Sequence, residues 1–210
     1  MTVKSRARQN LDDRLKDIDQ LLNAHTAITK FNNAQQAANQ ASSELAKIGE
    51  VISALVTSPG KGRPKEVDAI NRAAFVLSIA HFQGFIDELH SEIGHIVLKD
   101  KTTNPPANSK LSRAGRSQPE VNGKKQKFAG IGIYELMDKI NWQKCDSKTV
   151  KSRLTGYIET RNKIAHGSKE AITKNKVIQL KEYIELLARK IEEQVFKKID
   201  GCDFNWRSQQ

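Results

Sequence analysis

Arg161, Asn162 and His166 lie within six residues of one another in the stretch Tyr157-Ile158-Glu159-Thr160-Arg161-Asn162-Lys163-Ile164-Ala165-His166-Gly167, near the end of a predicted helix. At about 100° per residue, Asn162 and His166 are four apart and share a face. Arg161 stands one step round and is long enough to swing its guanidinium toward them, so the three can meet around one phosphate. The set suits cleavage of a ribose phosphodiester. The 2′-hydroxyl needs a base, the leaving 5′-oxygen needs an acid, and the pentacoordinate phosphorane needs positive charge. Histidine titrates near neutral pH, and arginine stays charged and grips two phosphate oxygens at once. The scheme requires no metal, and no cofactor is expected. Spacing alone does not single out chemistry, because an Arg and a His near a helix end more often serve the last carbonyls and solvent.

Other candidate chemistry is weaker. His81, His90 and His95 lie on one predicted helix at separations of nine and five residues, poor spacing for a metal pair on one face, and read as partly buried or surface histidines. His25 is expected to cap the end of the first helix. Cys145 and Cys202 lack CxxC spacing and a nearby ligand set, so two reduced thiols are expected. Tyr134, Tyr157, Tyr183, Trp142 and Trp206 are scattered and form no base-stacking ladder. The loop Gly60-Lys61-Gly62-Arg63-Pro64-Lys65 lacks the GxxxxGK[ST] pattern of a nucleotide-binding loop.

A net charge of +11 and a pI of about 9.6 favour polyanionic partners, nucleic acid first among them. With 38% hydrophobic and 28% charged residues, the chain falls in the soluble globular class, toward its polar edge. No apolar run approaches the ~18 residues a membrane span requires. The basic N-terminus runs into Asp12 and Asp13 instead of a secretory apolar stretch, so a cytoplasmic location and no membrane association are expected.

The elements that must carry the trio all read as helices. Leu11, Leu15, Ile18, Leu22 and His25 recur at three- and four-residue steps, predicting a helix from about Lys4 to His25. A second, Ala-rich helix is predicted from about Thr29 to Thr57, weakly buried in its first half and suited to be an arm or a partner-binding helix. Ser58–Pro64 breaks any regular element. From about Glu66 to Leu98 comes the most hydrophobic helix, with Ala69, Ala73, Val76, Leu77, Ala80, Phe82, Ile86, Leu89, Ile93 and Val97, predicted to be the central core helix. Residues 99–127 carry three prolines and an excess of Lys and Arg. They read as a long basic flexible insertion, either a solvated loop or a flap that draws in a phosphate backbone. A short helix is predicted over Gly132–Asn141, a turn over Trp142–Ser147, the motif helix from about Lys148 to Ala165, and a last helix from about Thr173 to Ile199 with a near-heptad seam. The expected organisation is N-terminal helices over residues 1–57, a core over 64–200 that includes the insertion, and a tail over 201–210.

The segment Arg161-Asn162-Lys163-Ile164-Ala165-His166-Gly167 resembles the R-x(4–6)-H motif of the HEPN superfamily, in the form with Asn after Arg and Gly after His. Its setting is similar to the RiboL-PSP-HEPN branch: a first amphipathic helix, a glycine-proline loop, a long apolar helix of the kind seen at Asn71-Arg72-Ala73-Ala74-Phe75-Val76-Leu77, a polar insertion, then the motif helix and a final long helix. The resemblance covers roughly residues 1–25 and 63–200. It implies an all-α HEPN-type helical bundle with long antiparallel helices, pairing about a two-fold axis so that two motifs form one composite RNase cleft. It makes His166 the general acid/base, Arg161 the phosphate and transition-state ligand, and Asn162 the orienting residue. Gln83, Lys163 and, from the insertion, Lys124, Lys125 and Lys127 are the candidate substrate-binding residues. Implied partners are RNA, a second copy, and an antitoxin or defence-system protein, since many members serve in toxin, antitoxin or antiphage systems. One position departs from the pattern. Relatives often read F-E-x-[FY] in the long helix, where this chain has Phe82-Gln83-Gly84-Phe85, with Asp87 and Glu88 one turn later. Gln83 can hydrogen-bond an arginine but cannot neutralise it. Two functions follow: a metal-independent endoribonuclease, or a non-catalytic helical module that binds RNA or recruits a protein.

Overall fold

The first helix starts where Ser5 accepts the Arg8 N–H on its hydroxyl at 3.0 Å, the N-cap arrangement that serves one of a helix's orphan donors. In the computed structural model, which describes residues 4–40, 48–53, 67–99, 128, 133, 135–143 and 145–199, this helix, α1, runs Arg6–Gln40. α2 follows at Asp68–Lys99, a single 3-10 turn at Leu136–Lys139, α3 at Ser147–Ala165 and α4 at Lys174–Ile199. Residues 48–53 are also helical. Among the described residues every regular element is a helix, and the fold is all-α. None of these helices is long and apolar enough to cross a membrane.

α2 is the central helix and packs on α1, α3 and α4. Phe75, Ile79, Phe82, Phe85, Ile86, Leu89 and Ile93 are buried along it, together with Leu11, Leu15, Ile18 and Leu22 of α1 and Val177, Leu180, Ile184, Leu187, Ile191 and Val195 of α4. These apolar stripes form one core because each helix can hide its own only against the others. α1 runs antiparallel to α2, with the Ala7 N–H on Glu92 near one end and Asp17 beside His81 further along. It is antiparallel to α4 as well, where Ser5 meets Glu192, Asp19 meets Lys181 and Thr26 meets Lys174. The broad apolar surface predicted for α2 is buried on one side only: Ala69, Ala73 and Ala80 are exposed and Val76 and Leu77 half-buried.

Two element boundaries depart from the predictions. The first helix does not stop at His25. It continues to Gln40, absorbing the first part of the predicted second helix, and His25 is a mid-helix residue with no capping role. Nothing between Asn23 and Lys30 breaks a helix, and the Thr26 and Thr29 hydroxyls donate to the carbonyls of Leu22 and His25, both at 2.8 Å. Within the described part of the predicted helix over Gly132–Asn141, only the 3-10 turn is helical. Glu135 enters it in the left-handed region (φ 55°) and Ile140 leaves it extended. Ile133, Leu136, Met137 and Ile140 are all buried, at the i, i+3, i+4, i+7 spacing of one helix face that supported the prediction, but the left-handed Glu135 and the extended Ile140 confine the helical hydrogen bonding to a single turn. Trp142 and Cys145 then exchange backbone hydrogen bonds at 3.0 and 2.9 Å, and Cys145 is a buried free thiol. Cys202, most of the basic insertion and the tail lie outside the described residues.

Candidate functional site

Asp146 opens α3 by accepting the Thr149 N–H at 2.8 Å, and Val150, Leu154 and Ile158 bury one face of the helix. The Tyr183 hydroxyl of α4 donates to the Val150 carbonyl at 2.7 Å, and Tyr157 meets Phe75 and Tyr183 at ring separations of 6.0 and 5.3 Å. α3 is thereby anchored to α2 and α4 before its last turn, which carries the trio.

The far end of α3 closes in a Schellman turn. Ser168 N–H donates to the Lys163 carbonyl at 2.9 Å and Gly167 N–H to the Ile164 carbonyl at 3.0 Å. Gly167 sits at φ +88°, a region that other residues rarely adopt, although a β-carbon there would meet nothing within 4 Å. The glycine is needed for its backbone and not for space. His166 occupies the C-cap, its N–H on the Asn162 carbonyl at 2.9 Å, and its side chain is exposed.

Arg161 and Asn162 do meet. The Arg161 guanidinium donates from Nη1 to Asn162 Oδ1 at 3.0 Å and from Nη2 to Gln83 Oε1 of α2 at 3.1 Å. Its Nε is buried and has no hydrogen-bond partner. Both acceptors are neutral amides. Several other cations pair with carboxylates, Arg14 with Glu88, Lys181 with Asp19 and the buried Arg8 with Asp12, while Lys174 and Lys176 meet the Thr26 hydroxyl and the Phe75 ring. Among the described residues Arg161 has no such counter-charge.

Glu88, one of the two acids a turn beyond Gln83, does not supply it. Glu88 turns to the α1 side, where it takes Arg14 and the Asn10 amide. Gly84 lies beneath this pair: a β-carbon there would come to 2.9 Å from Arg14 Nη1, and the flexible guanidinium would have to shift. Gln83 spends its carbonyl oxygen on Arg161. This contact joins residues 78 apart in sequence and had no local signal.

The remaining candidates separate. Lys163 is exposed, and Lys124, Lys125 and Lys127 lie outside the described residues. His81 lies 3.6 Å from Asp17 on the α1–α2 seam. Burial pushes its pKa down, Asp17 opposes this and Arg14 adds to it. His90 is buried edge-on to Phe128, and the His95 side chain lies outside the described part. Among the described residues no three His, Cys, Asp or Glu side chains gather into a cluster that could hold a metal ion.

A family model described as RiboL-PSP-HEPN matches residues 9–197, from the first turns of α1 to the last turn of α4. No curated protein and no solved structure gives a significant match. With nearly the whole helical body inside that match, the chain belongs to the RiboL-PSP-HEPN family.

Proposed function

We propose that this chain is a metal-independent endoribonuclease whose working groups are Arg161, Asn162 and His166. The observation that carries the reading is the state of Arg161: a half-buried guanidinium fixed by two amide oxygens and, among the described residues, neutralised by no carboxylate, on the same helix end as an exposed imidazole. A cation that is positioned in advance and retains its charge is what a developing phosphorane needs, because no reorganisation is then required as the charge forms. Asn162 serves the site by holding Arg161.

In the reaction the ribose 2′-oxygen attacks phosphorus while the bond from phosphorus to the 5′-oxygen breaks. An imidazole takes the 2′-proton and a protonated imidazole delivers one to the leaving oxygen, yielding a 2′,3′-cyclic phosphate and a 5′-hydroxyl. Two proton carriers are involved and each chain offers one exposed histidine at this end of α3, so the proposal includes a homodimer whose two motifs share one cleft. Its setting is a toxin or antiphage-defence effector acting on cellular or invading RNA and restrained by another protein.

A second reading, an RNA-binding or protein-recruiting module without catalysis, is favoured by one observation. The His166 side chain has no hydrogen-bond partner among the described residues that would set its tautomer. Incubation of end-labelled RNA with the purified protein in excess EDTA decides between them. Cyclic-phosphate ends are expected, whereas RNA that is bound and left whole would favour the second reading.

A further inference from the structure

α3 carries Lys148, Lys151, Arg153, Arg161 and Lys163 against a single acid, Glu159. These cations do not share one fate. Lys151 is taken up by Asp138, whereas Arg153, two residues on, is exposed and pairs with no carboxylate among the described residues. Arg153, Tyr157 and Arg161 follow one another at four-residue steps, so each lies one turn beyond the last and about 40° round, and the two arginines are about 12 Å apart along the helix axis.

Tyr157 stands between them and is held in place. Its ring meets Phe75 and Tyr183, it is half-buried, and its hydroxyl makes no hydrogen bond among the described residues. Burial pushes its pKa up and Arg153 opposes this, with no carboxylate acting on it. The Phe75 ring also carries the Lys176 ammonium, 5.6 Å from its centre, and Lys176 too has no carboxylate partner among the described residues. Lysines on other seams are treated differently, Lys181 having both Asp19 and Glu185. Three cations without acids around one anchored tyrosine make a field of one sign, which concentrates anions. An isolated small anion would engage one of them, whereas the phosphates of a strand recur and can meet them in turn. An unpaired strand lying along a basic flank, with a fixed aromatic side chain between its charges, is the usual arrangement for single-stranded nucleic acid.

We propose that Arg153 and Tyr157 form a strand-binding subsite for single-stranded RNA, in which Arg153 takes a backbone phosphate a few nucleotides from the one at Arg161 and the Tyr157 hydroxyl donates to a ribose or phosphate oxygen between them. The subsite rests on the reading that this end of α3 receives RNA. Fluorescence anisotropy of the full chain with a labelled single-stranded 2′-O-methyl RNA of about six nucleotides tests it, since that strand binds but has no free 2′-hydroxyl to react. Arg153→Ala should weaken binding about tenfold and make the dependence of log affinity on log salt shallower by about 0.7, the share of one phosphate. Its melting curve should stay in place, because Arg153 is exposed. Tyr157→Phe, which removes only the hydroxyl, should weaken binding about threefold. Lys148 is also exposed but lies nine residues before Tyr157, about 180° round α3, so Lys148→Ala removes the same charge from the opposite side and should leave affinity within about twofold. Equal affinity of wild type and Arg153→Ala would overturn the subsite. So would an equal loss in Lys148→Ala, which would reduce the effect to the general attraction of a basic chain. If the same RNA with free 2′-hydroxyls is not cleaved while the Arg153→Ala loss holds, the endoribonuclease reading fails and the subsite stands.

Discussion

Alanine at Gly156 and alanine at Gly167 should move the stability of the chain in opposite directions, although both glycines belong to the same helix or its cap. At Gly156, an exposed position within α3, a β-carbon would meet nothing within 4 Å. Alanine there only removes backbone freedom from the unfolded chain, a gain of about 0.5–1 kcal/mol. At Gly167 space is equally open, but φ is +88°. The whole cost is the left-handed backbone, about 1–2 kcal/mol. The two variants should therefore lie about 1.5–3 kcal/mol apart, at about 2–4 °C of melting temperature per kcal/mol for a chain of this size. Urea denaturation reads both as midpoint shifts at constant slope. The Schellman turn also sets where His166 leaves α3, so Gly167→Ala should lose RNA cleavage beyond its loss of folded protein, and Gly156→Ala should keep it. A Gly167→Ala variant as stable as wild type would refute the turn described for this site. One that is destabilised but cleaves normally when folded would refute its link to His166.

Gln83→Ala leaves Arg161 Nη2 without its acceptor beside an Nε that already has none, and should cost about 1 kcal/mol in urea denaturation, with a larger fractional loss of RNA affinity as the guanidinium loses its anchor. Burial pushes the Glu192 carboxyl above its ordinary value of 4.5, against the Ser5 hydrogen bonds and the Arg8 charge that favour ionisation. A raised folded pKa contributes stability that is fully present below the unfolded value and is lost as pH rises through the folded one. Glu192→Gln, which does not titrate, should therefore gain on wild type as pH climbs from about 4 to 7, and a variant that loses ground over that range in urea titrations would contradict the assignment.

Where local rules decide, the sequence was readable. Leu11, Leu15, Ile18 and Leu22 face the core as their spacing predicts, the seam from Val177 to Val195 is buried throughout, and α3 ends at Ala165 because Gly167 follows. The limits appear where distant residues decide. α1 passes His25 without a stop because no residue there breaks it and Lys174, 148 positions on, reaches its Thr26 hydroxyl. The element at Leu136–Lys139 keeps the buried spacing of a helix face but is cut to one 3-10 turn by the backbone of Glu135 and Ile140, which no residue pattern announced. The N-terminus of α1 is completed by Glu92 and by Glu192, the latter 187 positions from Ser5. Within the site, the pairing of Arg161 with Asn162 follows from adjacency, whereas its anchoring by Gln83 depends on α2 and α3 packing together.

The central claim, that the Arg161–His166 end of α3 cuts RNA, is tested most directly by comparing His166→Ala with wild type on labelled RNA in EDTA, at equal folded concentration. His166 is exposed, so the substitution should leave the melting curve in place and lower the rate by about 10²–10⁴-fold, the usual worth of a general acid–base. Cleavage by His166→Ala at the wild-type rate would contradict the account.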